Sequence, residues 1–163
     1  MQLILVRHAE AANIGQHGVT TDFDRPLTNT GHTTARNLTN RLKSLGVRAD
    51  AVVSSPLLRA RQTAEPLREL VHGGNQELIL CEEMAPDTLK PKKVMKFLKE
   101  QNASTILAVG HLPDLPNITG WLLGTNGPSV AFDRGSAALI ETQGKVEEGC
   151  GTLLWLVTPE WYV

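Results

Sequence analysis

Three short apolar runs, each followed at once by polar or charged residues, constrain this chain more than any other feature. The first is Leu3-Ile4-Leu5-Val6, ending in Arg7-His8-Ala9-Glu10. The second, Ala51-Val52-Val53-Ser54-Ser55, leads into Pro56-Leu57-Leu58-Arg59-Ala60. The third, Thr105-Ile106-Leu107-Ala108-Val109, ends in Gly110-His111. Consecutive apolar residues at this length read as buried strands. In an open α/β sheet the functional groups sit at the carboxyl ends of parallel strands. Parallel pairing therefore brings two histidines and two arginines to one edge. A nucleophile in a cationic pocket is a phosphate site.

The segments between the runs carry helical periodicity, which argues for a mainly parallel sheet covered by helices. Strand one is expected over Gln2 to Val6, followed by a long loop over Ala11 to Pro26. Thr28 is the expected N-cap of helix one. Its inward face is Ala35, Leu38, Leu42 and Leu45, and Gly46 is its stop. Strand two is Ala51 to Ser54. Helix two is expected to open with Ser55 as cap and Pro56 at its first position. It should run through Ala60, Ala64, Leu67 and Val71 to Gly73-Gly74, with Pro66 kinking or splitting it near Arg61 to Thr63. Strand three is Glu77 to Cys81. Helix three is Pro91 to Gln101, with Val94, Phe97 and Leu98 inward. Strand four is Thr105 to Val109. Helix four runs from Pro113 to Leu123, with Gly124 as stop. Two late strands, Ala137 to Glu141 and Thr152 to Val157, complete the sheet. The expectation is one α/β domain over residues 1–163, a three-layer sandwich with a mostly parallel central sheet.

Composition removes several classes of function. A formal net charge of -1 and 4% aromatics leave neither an electrostatic footprint nor stacking platforms for nucleic acid. No apolar run approaches the roughly 20 residues that span a bilayer. Leu3 to Val6 is too short for a signal-peptide core, so the cytoplasm is the expected compartment. Cys81 and Cys150 stand alone and read as free buried thiols. No metal and no organic cofactor is expected, since no Cys/His cluster has ligand spacing.

The side chains at the strand ends suit phosphoryl transfer. Arginine offers a planar fork of donors and keeps its charge at any working pH. Arg7 and Arg59 are the candidates to stabilise the charge spread over a transferring phosphoryl group. Arg59 also falls near a helix start, where the dipole favours an anion. His8 is the candidate nucleophile, forming a covalent intermediate that water resolves. His111 is the candidate to bind the phosphoryl group and carry protons.

In order and spacing, four segments resemble the histidine phosphatase superfamily. They are Leu5-Val6-Arg7-His8-Ala9-Glu10, then Arg25-Pro26-Leu27-Thr28 with Gly31, then Ser55-Pro56-Leu57-Leu58-Arg59-Ala60-Arg61-Gln62-Thr63-Ala64, and finally Val109-Gly110-His111-Leu112-Pro113. Within the superfamily the chain resembles the short SixA-type phosphohistidine phosphatases, and the likeness spans nearly the whole chain. The resemblance implies a phosphoglycerate mutase-like fold and a metal-independent phosphatase of the signal-transduction kind. It implies His8 as the phosphorylated residue, with Arg7, Arg59 and His111 around the phosphate. It also suggests Arg25 as a further phosphate contact; the alternative is a loop salt bridge from Arg25 to Asp22 or Asp24.

Other residues have two readings each. Glu10 either orients a pocket residue or is solvated. His17, His32 and His72 read as solvated. Lys90, Lys92, Lys93, Lys96 and Lys99 form either a solvated helix face or a docking surface for an acidic phosphoprotein. Glu82, Glu83 and Asp114 are the available general acids, Asp114 also being explicable as a surface residue near a helix start. A phosphohistidine needs little help, because imidazole, titrating near ~6.5, leaves far more easily than an alkoxide. No segment is long enough for a large cap, and an open pocket admits a protein side chain. The expected substrate is therefore a phosphohistidine-bearing protein. One rival is a small-molecule phosphomonoesterase or phosphoglycerate mutase-like enzyme. The other is a non-catalytic phosphate-binding interaction domain.

Overall fold

The computed structural model describes residues 1–16, 18–72, 77–86, 90–125 and 127–162. Six strands form one sheet: β1 (Gln2–Arg7), β2 (Ala51–Ser54), β3 (Ile79–Leu80), β4 (Thr105–Gly110), β5 (Ala137–Thr142) and β6 (Gly151–Val157). Four helices accompany them: α1 (Asn29–Ser44), α2 (Leu58–Leu67), α3 (Pro91–Glu100) and α4 (Asp114–Leu123). The sheet order is β3-β2-β4-β1-β5-β6. The first four strands are parallel, and β5 and β6 add antiparallel at one edge.

Alternation along the strands builds the two outer layers. Leu3 and Leu5 of β1 pack with Ile106 and Ala108 of β4 against Val94, Met95 and Leu98 of α3 and Leu115, Ile118 and Leu122 of α4. Ile4 and Val6 face the other way, with Leu107 and Val109, onto Leu38 and Leu42 of α1 and Ala60, Ala64 and Leu67 of α2. Each Leu, Ile, Val or Met side chain among them contributes about 1.5–3 kcal/mol of burial free energy. A one-residue slip of β1 would send every side chain to the wrong layer, so the register is firmly set. That register pairs Arg7 with Gly110 and Ser54 with Val109. The next residues, His8, His111 and Ser55, consequently stand side by side at one sheet edge.

Several expectations change in detail. Helix two starts at Leu58, with Leu57 at its cap, not at Pro56 after Ser55. The Ser55 hydroxyl instead bonds His111, and the Leu58 amide donates to the Phe23 carbonyl at 3.0 Å, so the chain makes a turn before winding up. Pro66 does not split the helix near Arg61 to Thr63. It sits in the last turn of α2, and a short 3-10 turn over Arg68–Leu70 follows. Proline lacks an amide hydrogen and crowds the carbonyl four residues back, a defect least disruptive where the helix is about to end. Strand three shrinks to Ile79–Leu80 at the sheet edge. On α3 the inward residue is Met95 rather than Phe97, which is half-buried. Cys150 is half-buried, while Cys81 is fully so, and both are free thiols. The expected helix stop at Gly73-Gly74 and the reading of His17 fall outside the described residues.

Thr28 caps α1 as expected, accepting from the Gly31 amide at 3.0 Å. The Thr28 hydroxyl in turn donates to Glu10 Oε1 at 2.6 Å, so Glu10 fastens the start of α1 to the strand bearing His8. Gly31 permits this approach: a Cβ there would lie 2.0 Å from the Glu10 carbonyl oxygen. Among the described residues, no helix is long and apolar enough to cross a membrane.

Candidate active site

His8 and His111 leave neighbouring strands and meet with ring centroids 5.0 Å apart and planes inclined by 52°. The His8 amide donates to the Gly110 carbonyl at 3.1 Å, which ties the two strand ends together. His8 Nδ1 lies 2.7 Å from the Ala9 carbonyl oxygen. A carbonyl can only accept, so Nδ1 carries the proton and Nε2 presents its lone pair. The Ala9 amide donates to Thr63 Oγ1 at 3.0 Å, and the Thr63 hydroxyl donates to the Arg59 carbonyl at 2.7 Å. One threonine of α2 thus sets both the histidine's strand end and the helix turn bearing Arg59.

Burial governs the charge of both rings. Desolvation, with Arg59, Arg7 and Arg134 nearby, lowers the His8 pKa from 6.5 to about 4, although the bond to Ala9 works the other way. Desolvation and the positive charge of His8, Arg59 and Arg7 lower that of His111 to about 3. Asp22 opposes that shift. Near pH 7 both imidazoles are therefore neutral, as a nitrogen nucleophile must be.

Arg59 is 5% exposed, His111 2% and His8 9%, so these three are almost closed to water, while Arg7 is half-buried. His111 Nε2 bonds the Ser55 hydroxyl at 2.8 Å. Arg7 Nη1 donates to the Phe132 carbonyl at 2.7 Å. Arg59 donates from Nη1 to the Asp22 carbonyl at 2.7 Å and from Nη2 to Asp22 Oδ2 at 2.9 Å. Three nitrogens of this constellation are buried without a hydrogen-bond partner among the described residues: Arg7 Nε, Arg59 Nε and His111 Nδ1. Orphaned buried polar atoms are rare in folded proteins. Two guanidiniums supply the charge-assisted donors that stabilise an oxyanion.

Arg25 takes the salt-bridge arrangement: Nη1 lies 2.9 Å from Asp22 Oδ1, and Nε donates to the Ala12 carbonyl at 2.6 Å. Glu83, in a 3-10 turn over Glu82–Met84, accepts from the Cys81 thiol at 3.6 Å. Burial and the Glu83 carboxylate push that thiol up to about 12. Asp114 opens α4 and is only 4% exposed, so it is not the surface residue that its place near a helix start suggested. His32 is half-buried and His72 exposed. The lysines of α3 lie elsewhere. Lys92, Lys96 and Lys99 line a groove of about 850 Å³ with Trp121 and Glu148, beside the β5–β6 turn. That turn is at the end of β5 remote from Arg7.

Sequence reasoning passed over three contributors. Arg134, in the turn before β5, adds positive charge to Arg7 and His8. It arrives because β5 runs antiparallel, so the beginning of that strand, not its end, reaches the pocket edge. The turn is held by the Gly135 amide on the Arg7 carbonyl at 3.2 Å and by the Tyr162 hydroxyl on the Gly135 carbonyl at 2.6 Å. Gly135 has φ +87°, and a Cβ there would strike Thr34 and Tyr162. Ser55 and Thr63 were visible inside the quoted motif, but only the fold shows that they position His111 and His8.

The family model for the histidine phosphatase superfamily (branch 1) matches residues 3–85. An uncharacterized protein of Picosynechococcus sp. is 31% identical, over 99% of this chain and 98% of its own. The phosphohistidine phosphatase SixA of Escherichia coli is 28% identical, over 98% of this chain and 94% of its own. A solved structure of the protein histidine phosphatase SixA complexed with tungstate superposes with a TM-score of 0.82 at 27% identity, covering 98% of this chain and 97% of that one.

Proposed function

Because the chain belongs to the histidine phosphatase superfamily (branch 1), a metal-independent phosphatase family, we propose that it removes phosphate from phosphohistidine on a protein, with His8 as the nucleophile. The observation that carries this reading is the 2.7 Å bond from His8 Nδ1 to the Ala9 carbonyl, which leaves Nε2 unprotonated beside His111. In the first step His8 Nε2 bonds to phosphorus as the phosphorus–nitrogen bond of the substrate breaks. The substrate ring, already protonated on its other nitrogen, keeps the bonding pair and departs as neutral imidazole. Arg7, Arg59 and His111 hold the negative charge on the phosphoryl oxygens. In the second step water adds to phosphorus, the His8–phosphorus bond breaks with its pair returning to Nε2, and phosphate leaves carrying both protons of the water. The Nδ1 bond to Ala9 persists throughout and keeps the ring oriented.

A protein substrate is supported by the near full-length match to SixA and by the short segments around the pocket. A second reading, a small-molecule phosphomonoesterase with a working general acid, draws support from the burial of Asp114 three residues after His111. A substrate panel separates them. We expect a higher kcat/KM for a phosphohistidine peptide than for phosphoserine or 3-phosphoglycerate, and little effect on it from Asp114→Asn or Glu83→Gln. Faster turnover of the alkyl phosphates, selectively removed by one of these substitutions, would establish the second reading.

A further inference from the structure

The loop before α1 ends in a short acidic stretch, and one of its carboxylates lies where a phosphate should. Asp22 Oδ2 bonds Arg59 Nη2 at 2.9 Å, and Asp22 Oδ1 bonds Arg25 Nη1 at 2.9 Å. The Asp22 carbonyl also accepts from Arg59 Nη1 at 2.7 Å, so both ends of the Arg59 fork face this one residue. Burial works against the charged carboxylate, but the two guanidiniums outweigh it and hold Asp22 below the usual carboxylate range. Its negative charge also reaches His111. A two-oxygen anion bridging two arginines beside a histidine has the contacts of two phosphoryl oxygens.

Accessibility points the same way. Arg7 Nε, Arg59 Nε and His111 Nδ1 touch neither solvent nor a partner among the described residues. A ligand reaches them only if something moves. Among the described residues, the loop is tied to the helix bearing Arg59 by Asp22 and by the bond from the Leu58 amide to the Phe23 carbonyl at 3.0 Å. Asp22 itself keeps about half of its side chain in water (47% exposed). Water can therefore receive the carboxylate when it lets go.

We propose that Asp22 is a resident anion, occupying Arg59 and Arg25 until a substrate phosphoryl group displaces it and opens the loop. This rests on the oxyanion pocket of the preceding section, not on the identity of the substrate. A phosphoryl dianion carries more charge and one more oxygen than a carboxylate, so it wins the exchange. A weaker anion does not, and the loop thereby favours dianionic ligands over the carboxylates and monoanions around it. Arg25 is then a salt-bridge residue in the closed state and a phosphate contact in the open one.

Orthovanadate binding by calorimetry, together with KM and kcat on p-nitrophenyl phosphate, tests the exchange. Asp22→Asn keeps the shape and removes the charge, and Asp22→Ala removes the side chain. Both should tighten vanadate about three- to fivefold, the scale of losing a half-exposed charged pair as competitor. KM should fall by a similar factor with kcat retained. Asp24→Asn is the control: it removes the same charge from the same loop, where Asp24 accepts from Thr21 at 2.6 Å instead of holding Arg59. It should change vanadate binding by less than twofold. Weaker or unchanged vanadate binding in both Asp22 variants would overturn the proposal and make Asp22 a buttress for Arg59. Equal tightening by Asp24→Asn would overturn it too, reducing the effect to bulk charge. Since the probe is inorganic, a failed phosphohistidine assay would leave this result standing.

Discussion

Replacing His8 by asparagine should flatten the dependence of stability on pH by a predictable amount. The asparagine amide keeps a donor for the Ala9 carbonyl but cannot take up a proton. In the wild-type protein burial holds the His8 pKa at about 4 against an ordinary value of 6.5. Between those values the unfolded chain binds a proton that the folded chain refuses, so stability rises with pH across that window. The His8 contribution is whole above about pH 6.5 and drains away as pH falls toward about 4. Between pH 7.5 and pH 5.0 the loss amounts to about 2 kcal/mol for this one ring. His111, lowered to about 3, loses a comparable amount over the same interval. Urea denaturation of wild type and His8→Asn at the two pH values measures the difference directly. Comparing pH slopes cancels whatever the substitution costs in packing. The variant should lose about 2 kcal/mol less than wild type on acidification. Identical losses would show that His8 is solvated or stays protonated, and the neutral-nucleophile argument would fail.

Two further outcomes follow from the charges around the rings. Arg59→Ala should weaken orthovanadate binding by about 1.5–3 kcal/mol, the worth of hydrogen bonds to a charged group, as read from inhibition constants; unchanged inhibition would place the oxyanion elsewhere. Activity should survive excess EDTA, because guanidiniums supply the positive charge that a metal would otherwise provide; loss restored by one divalent ion would refute that chemistry.

The sheet was legible because β1, β2 and β4 are apolar on both faces, so their short runs stand out without any periodicity. Their flanking residues fell together because parallel register carries chain position into space: Arg7 against Gly110, and then His8 against His111. The helix boundaries were less legible where side chains had a second use. Ser55 reads as a cap, yet its hydroxyl serves His111 and the helix begins three residues later. Arg134 was hidden because nothing in a single strand's sequence says that it runs antiparallel. Asp22 was foreseen, alongside Asp24, only as the alternative partner of Arg25, and not as a partner of Arg59, thirty-seven residues away. An ion pair across that distance has no local signature; it exists only once β2 and the loop have been brought together.

The central claim is that phosphate passes through His8, and trapping that species is its most direct test. Wild-type protein mixed briefly with a phosphohistidine peptide, quenched in base and digested, should yield one phosphorylated peptide in which fragmentation places the group on His8. The label should vanish in mild acid, as a phosphoramidate does, and be absent from His8→Ala, which should be inactive yet folded. A label on His111 or any other residue, or full turnover by His8→Ala, would contradict the mechanism.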